Sequence, residues 1–197
     1  MKVVPFIENN EERTKEMGYS VELYFDTCSE NKFRELWREL HELGISKFMH
    51  ESGGRPHIAL VIFDEDDCDL NMLRQLFHNF FMKKDPLELI FSSIGIFPSE
   101  EGVTYAGVKP IASLLDLQED FYNRVKDTSL ASQVWAYYTP EYWVPHCTMT
   151  IGTTAEEQLM AVDLLRRRFR NIIAKTESVA LVKFYPYELI DEIHLKG

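Results

Sequence analysis

Residues 55–60 read RPHIAL and residues 144–149 read VPHCTM, so one short motif, Pro-His-apolar-small-apolar, occurs twice in this chain. The two histidines of the motif, His57 and His146, lie 89 positions apart. Proline fits the first residue of a strand, where its missing N–H breaks no ladder hydrogen bond. Each copy of the motif therefore predicts a strand that opens at a histidine.

We expect the two strands to differ in polarity on the face that carries the histidine. Side chains alternate between the faces of a strand, so residues two positions apart share a face. In the second motif His146 shares a polar face with Thr148, while Cys147 points to the apolar face. In the first motif His57 shares its face with Ala59. A strand face that carries a histidine together with other polar residues is more typical of a cleft than of a core.

Two such strands side by side would present two imidazoles to one pocket, an arrangement that fits phosphodiester chemistry. One neutral histidine can take a proton from water or a ribose hydroxyl, and a second, protonated histidine can give a proton to the departing alkoxide. A hydroxyl two residues further on, such as that of Thr148, can donate to a non-bridging phosphate oxygen. We predict that His57 and His146 are catalytic; the sequence leaves open which is the acid and which the base.

Composition and charge narrow the class of protein. The chain has 197 residues, of which 45% are hydrophobic and 27% charged, as is typical of a globular protein. Its net charge of −11 argues against a long nucleic-acid footprint but allows a small phosphate-bearing ligand in a local basic pocket. No apolar run is long enough to cross a bilayer, so we expect no membrane partner. The oligomeric state is left open.

Cysteine usage and the N-terminal segment indicate the compartment. The three cysteines lie far apart without metal-like spacing, and any disulfide would leave one of them unpaired. Residues 1–17 have neither the basic start nor the apolar stretch of a secretory signal. We therefore expect reduced thiols in a cytoplasmic protein.

The rest of the chain carries both strand and helix patterns. Periodicity predicts about seven strands and about four helices in mixed order, with several adjacent strand pairs. This order indicates an α+β fold with antiparallel sheets. Ser113 with Asp116, and Thr154 with Glu157, are spaced as capping boxes at the starts of two helices. We expect the second of these helices to run to about Ile173.

On these motifs the sequence resembles the two-histidine (2H) phosphoesterase superfamily, and within it the group called 2′-5′ RNA ligase or RNA 2′,3′-cyclic phosphodiesterase. The resemblance begins at the strand around Ser20 and includes residues 94–98 (IGIFP), 103–108 (VTYAGV) and 143–146 (WVPH). It implies that residues 1–197 form a single bilobal domain, with two antiparallel sheets facing a central cleft and helices packed outside. It also implies that both histidines are catalytic, without a metal or another cofactor.

The first motif departs from the pattern of the family. Thr148 matches the hydroxyl residue of the second motif, but Ala59 stands where the family has Thr or Ser. The loss of one such donor costs a few kcal/mol of transition-state stabilisation. The site would then be slower, would use Arg55 or a backbone N–H instead, or would only bind its ligand. Tyr105 and Trp143 are candidates for stacking a base, although aromatic strand residues are more often core.

The motifs lead to three hypotheses about function. The first is a metal-independent phosphoesterase that acts on a 2′,3′-cyclic phosphate or a 2′-5′ phosphodiester of a small nucleotide or an RNA 3′ end. The alternative is a non-catalytic protein that binds nucleotides or RNA ends, which Ala59 favours. The third is a metal hydrolase that uses His57, His146 and nearby carboxylates. The true substrate and the choice between hydrolysis and ligation are left open.

Overall fold

The computed structural model describes residues 17–196. The predictions that residues 1–17 carry no secretory signal and that residues 1–197 form one bilobal domain reach outside this range. In chain order the elements are β1 (Gly18–Phe25), α1 (Thr27–Glu42), α2 (Phe48–Glu51), β2 (His57–Asp64), α3 (Leu70–Phe81), β3 (Glu88–Ile96), β4 (Thr104–Val108), α4 (Ala112–Val125), β5 (His146–Thr150), α5 (Ala155–Arg168), β6 (Ile172–Phe184) and β7 (Glu188–His194). Two short 3₁₀ helices, Ser129–Gln133 and Ala136–Tyr138, lie between α4 and β5.

The long strand β6 joins two antiparallel sheets. Its C-terminal part pairs with β1 and β7, and β1 pairs in turn with β2. Its N-terminal residues pair with β3, and this second sheet continues through β4 to β5. The first sheet therefore has the order β2-β1-β6-β7, and the second has the order β6-β3-β4-β5. The predicted α+β fold with antiparallel sheets is confirmed.

Each histidine motif forms a strand at the end of a sheet. The first motif forms β2 at the end of the first sheet, and the second motif forms β5 at the end of the second. These two strands approach each other. The indole Nε1 of Trp143, just before β5, donates to the main-chain oxygen of Ala59 on β2 at 2.9 Å. The fold therefore brings together two motifs that are distant in the sequence.

The helices cover one side of the sheets and enclose the main core. Helices α1 and α5 contact strands of the second sheet, and α3 and α4 contact strands of the first. The core includes the rings of Phe25, Phe33 and Phe91, whose centroids lie 4.9 to 5.5 Å apart. Tyr24 alternates with Phe25 along β1 and belongs to a separate small cluster with Ala180. No helix within residues 17–196 is long and apolar enough to span a membrane.

One of the two predicted capping boxes is present. The Thr154 side chain accepts from the main-chain N–H of Glu157, and the Glu157 carboxylate accepts from the N–H of Thr154, so this capping box is confirmed. The box predicted at Ser113 and Asp116 is wrong, because α4 begins one residue before Ser113. The residue that precedes the helix is Ile111, which makes no side-chain cap.

Helix α5 is shorter than the sequence predicts. It ends at Arg168, whereas the apolar pattern predicted an end near Ile173. Ile172 already pairs with Phe91 on β3. From Ile172 to Glu177 buried and exposed residues alternate, which is the period of a strand. Pairing with a strand that is distant in sequence therefore places these residues in the sheet.

Candidate active site

The two predicted catalytic histidines have the same local geometry. His57 Nδ1 lies 2.7 Å from the main-chain oxygen of Arg55, and His146 Nδ1 lies 2.7 Å from that of Val144. In each motif the acceptor lies two residues before the histidine, across the proline. A carbonyl oxygen only accepts hydrogen bonds, so we infer that Nδ1 carries the proton in both rings. Nε2 is then the nitrogen available to a substrate.

The two imidazoles lie close enough to influence each other's charge. Burial lowers the pKa of His146 to about 4; the hydrogen bond to Val144 opposes this effect, and the nearby His57 adds to it. Burial also raises the pKa of the Cys147 thiol to about 12, against the effect of the main-chain amide of His57. Both interactions place His57 beside the start of β5. The lowered pKa favours the neutral form of His146, whose Nε2 can accept a proton.

Aromatic rings surround His146. The ring of Phe97 lies edge-on to the imidazole at a centroid distance of 4.9 Å, and Tyr105 lies at 5.3 Å. Phe97 and Tyr105 stack on each other at 4.4 Å. A Cβ at Gly95 would come within 2.2 Å of the Tyr105 ring, so glycine lets this ring lie over β3. Thr148 lies directly across from Tyr105 on β5. The structure thus brings Tyr105 and Thr148 to the same sheet face as His146.

A buried carboxylate faces His57. Glu22 on β1 is 5% exposed, and its Oε2 lies 3.4 Å from His57 Nδ1. The Tyr24 hydroxyl donates to the same oxygen at 2.9 Å. The pKa of Glu22 is raised, because burial outweighs the opposing charge of His57 and the hydrogen bond from Tyr24. Sequence reasoning did not identify Glu22; its only signal was a single acid within the apolar strand pattern of residues 20–25.

Arg55 is held by protein carboxylates. Its Nε and Nη2 lie 3.0 and 2.7 Å from Glu30, and its Nη1 lies 3.2 Å from Glu192. The guanidinium also lies 4.2 Å from the centroid of the Tyr24 ring. These two carboxylates bind the guanidinium group of Arg55, which the sequence suggested as a ligand of the substrate phosphate. A contact between Arg55 and substrate phosphate stays a prediction.

Trp143 lies in the core. Its side chain is only 8% exposed, and its indole is bonded to the main chain of Ala59. Base stacking by Trp143 stays a prediction, although its ring is buried and its N–H is already used by β2. Its contact with β2 gives it a structural role at the junction of the two motifs.

The described residues offer no obvious metal ligand set. Across residues 17–196, no group of three or more His, Cys, Asp or Glu side chains is arranged to hold a metal ion. The metal-hydrolase hypothesis therefore gains no support from this part of the chain.

An antiparallel α+β fold in which two neighbouring strands each begin with a Pro-His motif is the architecture expected of a 2H phosphoesterase. The sequence profile of the 2′-5′ RNA ligase superfamily matches residues 33–186. The chain belongs to this superfamily, as the resemblance of its motifs predicted. No curated protein matches the chain.

Solved structures share the fold. The protein TT0787 of Thermus thermophilus aligns with a TM-score of 0.64 and 16% identity, over 91% of this chain and 98% of that chain. E. coli LigT in apo form aligns with a TM-score of 0.55 and 12% identity, over 93% of this chain and 100% of LigT. LigT complexed with 3′-AMP aligns at 0.54, with 12% identity and the same coverage. At such identities the likeness concerns the fold.

Proposed function

We propose that this chain is a metal-independent phosphoesterase that acts on a 2′,3′-cyclic phosphate or a 2′-5′ phosphodiester, with His57 and His146 as general acid and base. Membership of the superfamily supports this function at the level of the class. The observation that carries the proposal is the matched pair of 2.7 Å hydrogen bonds at Nδ1, which leaves Nε2 of both rings free. Two imidazoles held in this way can exchange protons with one phosphate ester.

The proposed reaction needs no group beyond water and these side chains. For a cyclic phosphate, one imidazole takes a proton from the attacking water as the new P–O bond forms. The other gives a proton to the ribose oxygen as its bond to phosphorus breaks. The hydroxyl of Thr148 would donate to a non-bridging oxygen and stabilise the charge that builds there. Ligation in reverse uses the same groups.

A small nucleotide is the proposed ligand class. LigT, which shares the fold, has been solved in complex with 3′-AMP, NADP+ and ATP. In this chain the stacked rings of Phe97 and Tyr105 beside His146 supply an aromatic surface for a base. The net charge of −11 also favours a small ligand over a long RNA.

Incubation of the purified protein with 2′,3′-cyclic AMP in EDTA tests the proposal. We expect ring opening, and ³¹P NMR will show whether the 2′- or the 3′-oxygen leaves. Unchanged turnover in the chelator is expected, because no step uses a metal. Turnover that disappears in EDTA and returns with a divalent cation would contradict the proposal.

A non-catalytic nucleotide-binding function is the second candidate. Ala59 favours it, because the first motif offers no hydroxyl to the phosphate. Calorimetry with 2′,3′-cyclic AMP, followed by ³¹P NMR of the same sample, separates the two functions. Saturable binding with an intact cyclic phosphate after prolonged incubation supports the binding protein and contradicts the enzyme.

A further inference from the structure

The first motif has no hydroxyl of its own on the face of His57. Ala59 stands at the position that corresponds to Thr148 in the second motif. The negative charge that builds on a non-bridging phosphate oxygen is best stabilised by donors that are in place before the reaction begins. Arg55, the donor that the sequence suggested instead, is already bound to two protein carboxylates. A replacement for the missing hydroxyl therefore has to come from another element.

The segment 135–143, between α4 and β5, runs along the outer edge of β2. At one end of this segment the main-chain N–H of Trp135 donates to the oxygen of Ile62 at 2.9 Å. At the other end the indole of Trp143 donates to the oxygen of Ala59 at 2.9 Å. The residues between these two contacts are therefore held beside the first motif.

Tyr138 lies in the middle of this segment, next to Leu60. The side-chain amide of Gln118 on α4 donates to the main-chain oxygen of Leu60 at 3.3 Å and to that of Tyr138 at 2.8 Å. Gln118 is only 1% exposed, so this bridge is fixed within the protein. Leu60 directly follows Ala59, and the main chain of Tyr138 is thus anchored beside the position of the missing hydroxyl.

The Tyr138 hydroxyl lies near carboxylates from both halves of the fold. Burial raises the pKa of Tyr138, and the charges of Glu22 and Glu101 raise it further. Glu22 lies beside His57 in the first sheet, and Glu101 lies in the turn between β3 and β4 of the second. Ala59 is the cross-strand partner of Glu22, so a side chain that reaches from the outer edge of β2 toward Glu22 crosses β2 over Ala59. The short side chain of Ala59 leaves room for the tyrosine ring.

Within residues 17–196 the Tyr138 hydroxyl has no hydrogen-bond partner. It is also not among the buried side-chain oxygens that lack one, so it is open to water or to a ligand. The hydroxyl of Tyr24, by contrast, is bonded to Glu22 and lies 3.1 Å from that of Tyr187. The raised pKa keeps the Tyr138 hydroxyl protonated at neutral pH, and it can therefore donate to an anion.

We propose that Tyr138 is a catalytic residue whose hydroxyl donates to a non-bridging phosphate oxygen, in place of the hydroxyl that the first motif lacks at Ala59. The assignment rests on the proposed phosphoesterase function. Charge builds on the non-bridging oxygens as water adds to phosphorus, and Tyr138 binds it from the side of β2 while Thr148 binds it from β5. No covalent bond forms or breaks at the tyrosine.

Steady-state kinetics on 2′,3′-cyclic AMP test this role. We expect Tyr138→Phe to lower kcat by about 10²-fold with little change in KM, because the hydrogen bond is strongest when the charge has built up. Tyr137→Phe is the matched control, because its ring is 67% exposed in the same short 3₁₀ helix and should be dispensable. Wild-type kcat in Tyr138→Phe, or an equal loss in the two variants, overturns the proposal.

A rescue variant separates a donor from a purely structural ring. In Tyr138→Phe the further change Ala59→Ser places a hydroxyl on the face of His57, and we expect it to recover about tenfold in kcat. Urea unfolding checks the fold of both variants. Tyr138→Phe should keep the wild-type midpoint, because the hydroxyl that it loses has no partner in the described part of the chain. A folded double variant without recovery contradicts the proposed replacement of one hydroxyl by the other.

Calorimetry with 3′-AMP tests the phosphate contact without turnover. The phosphate of 3′-AMP carries two negative charges, so we expect Tyr138→Phe to weaken its binding about tenfold. Binding of adenosine, which has no phosphate, should not change. Equal weakening of both ligands would place Tyr138 against the nucleoside and overturn the proposal. A wild-type protein that binds 3′-AMP but leaves the cyclic phosphate intact contradicts the phosphoesterase function, while the two ligands still decide whether Tyr138 contacts phosphate.

Discussion

The indole Nε1 of Trp143 lies 2.9 Å from the main-chain oxygen of Ala59, and this hydrogen bond joins the two histidine motifs across 84 residues. Each imidazole is fixed to its own chain segment by its hydrogen bond at Nδ1. The spacing of β2 and β5 therefore sets the spacing of the imidazoles. Trp143 acts on the site through this spacing, without contact with a ligand.

Replacement of Trp143 by phenylalanine should destabilise the protein. Trp143→Phe leaves the Ala59 oxygen without its donor, and we expect the free energy of unfolding to fall by about 1–3 kcal/mol. Urea unfolding measures the change. Trp135→Phe is the matched control, because the indole of Trp135 donates to Asp64 at the exposed surface and its loss should cost less. Equal losses in the two variants would contradict the role given to Trp143.

The lowered pKa of His146 makes stability depend on pH. This pKa is about 4 in the folded protein, against an ordinary value of 6.5, so below pH 6.5 the unfolded chain binds this proton more readily. His146 should therefore reduce the free energy of unfolding as the pH falls from 6.5 to 4. In His146→Gln this contribution is absent, and denaturant unfolding should show a shallower decline over that interval. Parallel declines in the two proteins would show that the folded state does not lower the pKa of His146.

The strand pattern correctly predicted where the two histidines lie on their strands. It did not predict which side chains from other elements contact the motif residues. The proline position and the alternation of side chains placed His57 and His146 at strand starts, and Thr148 on the face of His146. The partners of Arg55 were not predictable in this way. Glu30 comes from α1 and Glu192 from β7, 25 and 137 residues away, and only the folded arrangement brings them to Arg55.

Glu22 shows a second limit of sequence patterns. The alternation of residues 20–25 predicted a strand, and an acid in such a strand normally faces water. In the structure β1 lies between β2 and β6, and all its residues are buried. The contact between Glu22 and His57 follows from this central position, which depends on pairing with strands far along the chain.

Two glycines with left-handed backbone should differ in their tolerance of a side chain. Gly102 has φ +63°, and a Cβ there would come within 1.9 Å of the Thr153 oxygen. Gly152 has φ +72° with no atom within 4 Å of a Cβ. We expect Gly152→Ala to cost about 1 kcal/mol of unfolding free energy from backbone strain alone, and Gly102→Ala to cost more. Thermal unfolding compares them, and an equal cost would show that the Thr153 contact does not matter.

The hydroxyl of Thr148 should act mainly in the transition state. Under the proposed function, Thr148→Val should lower kcat on 2′,3′-cyclic AMP by about 10²- to 10³-fold with little change in KM. Steady-state kinetics measure both constants. Thr148→Ser restores a hydroxyl and should recover most of kcat. A valine variant with wild-type kcat would remove Thr148 from the proposed site.

The central claim is that His57 and His146 act together on one phosphate. The most direct measurement is the kcat of ring opening of 2′,3′-cyclic AMP by His57→Ala, His146→Ala and the double variant, with folding checked by circular dichroism. Each single variant should lose about 10²- to 10⁴-fold in kcat, and the double variant should lose little more than either, because the two groups act as a unit. Wild-type turnover in either single variant would contradict the claim.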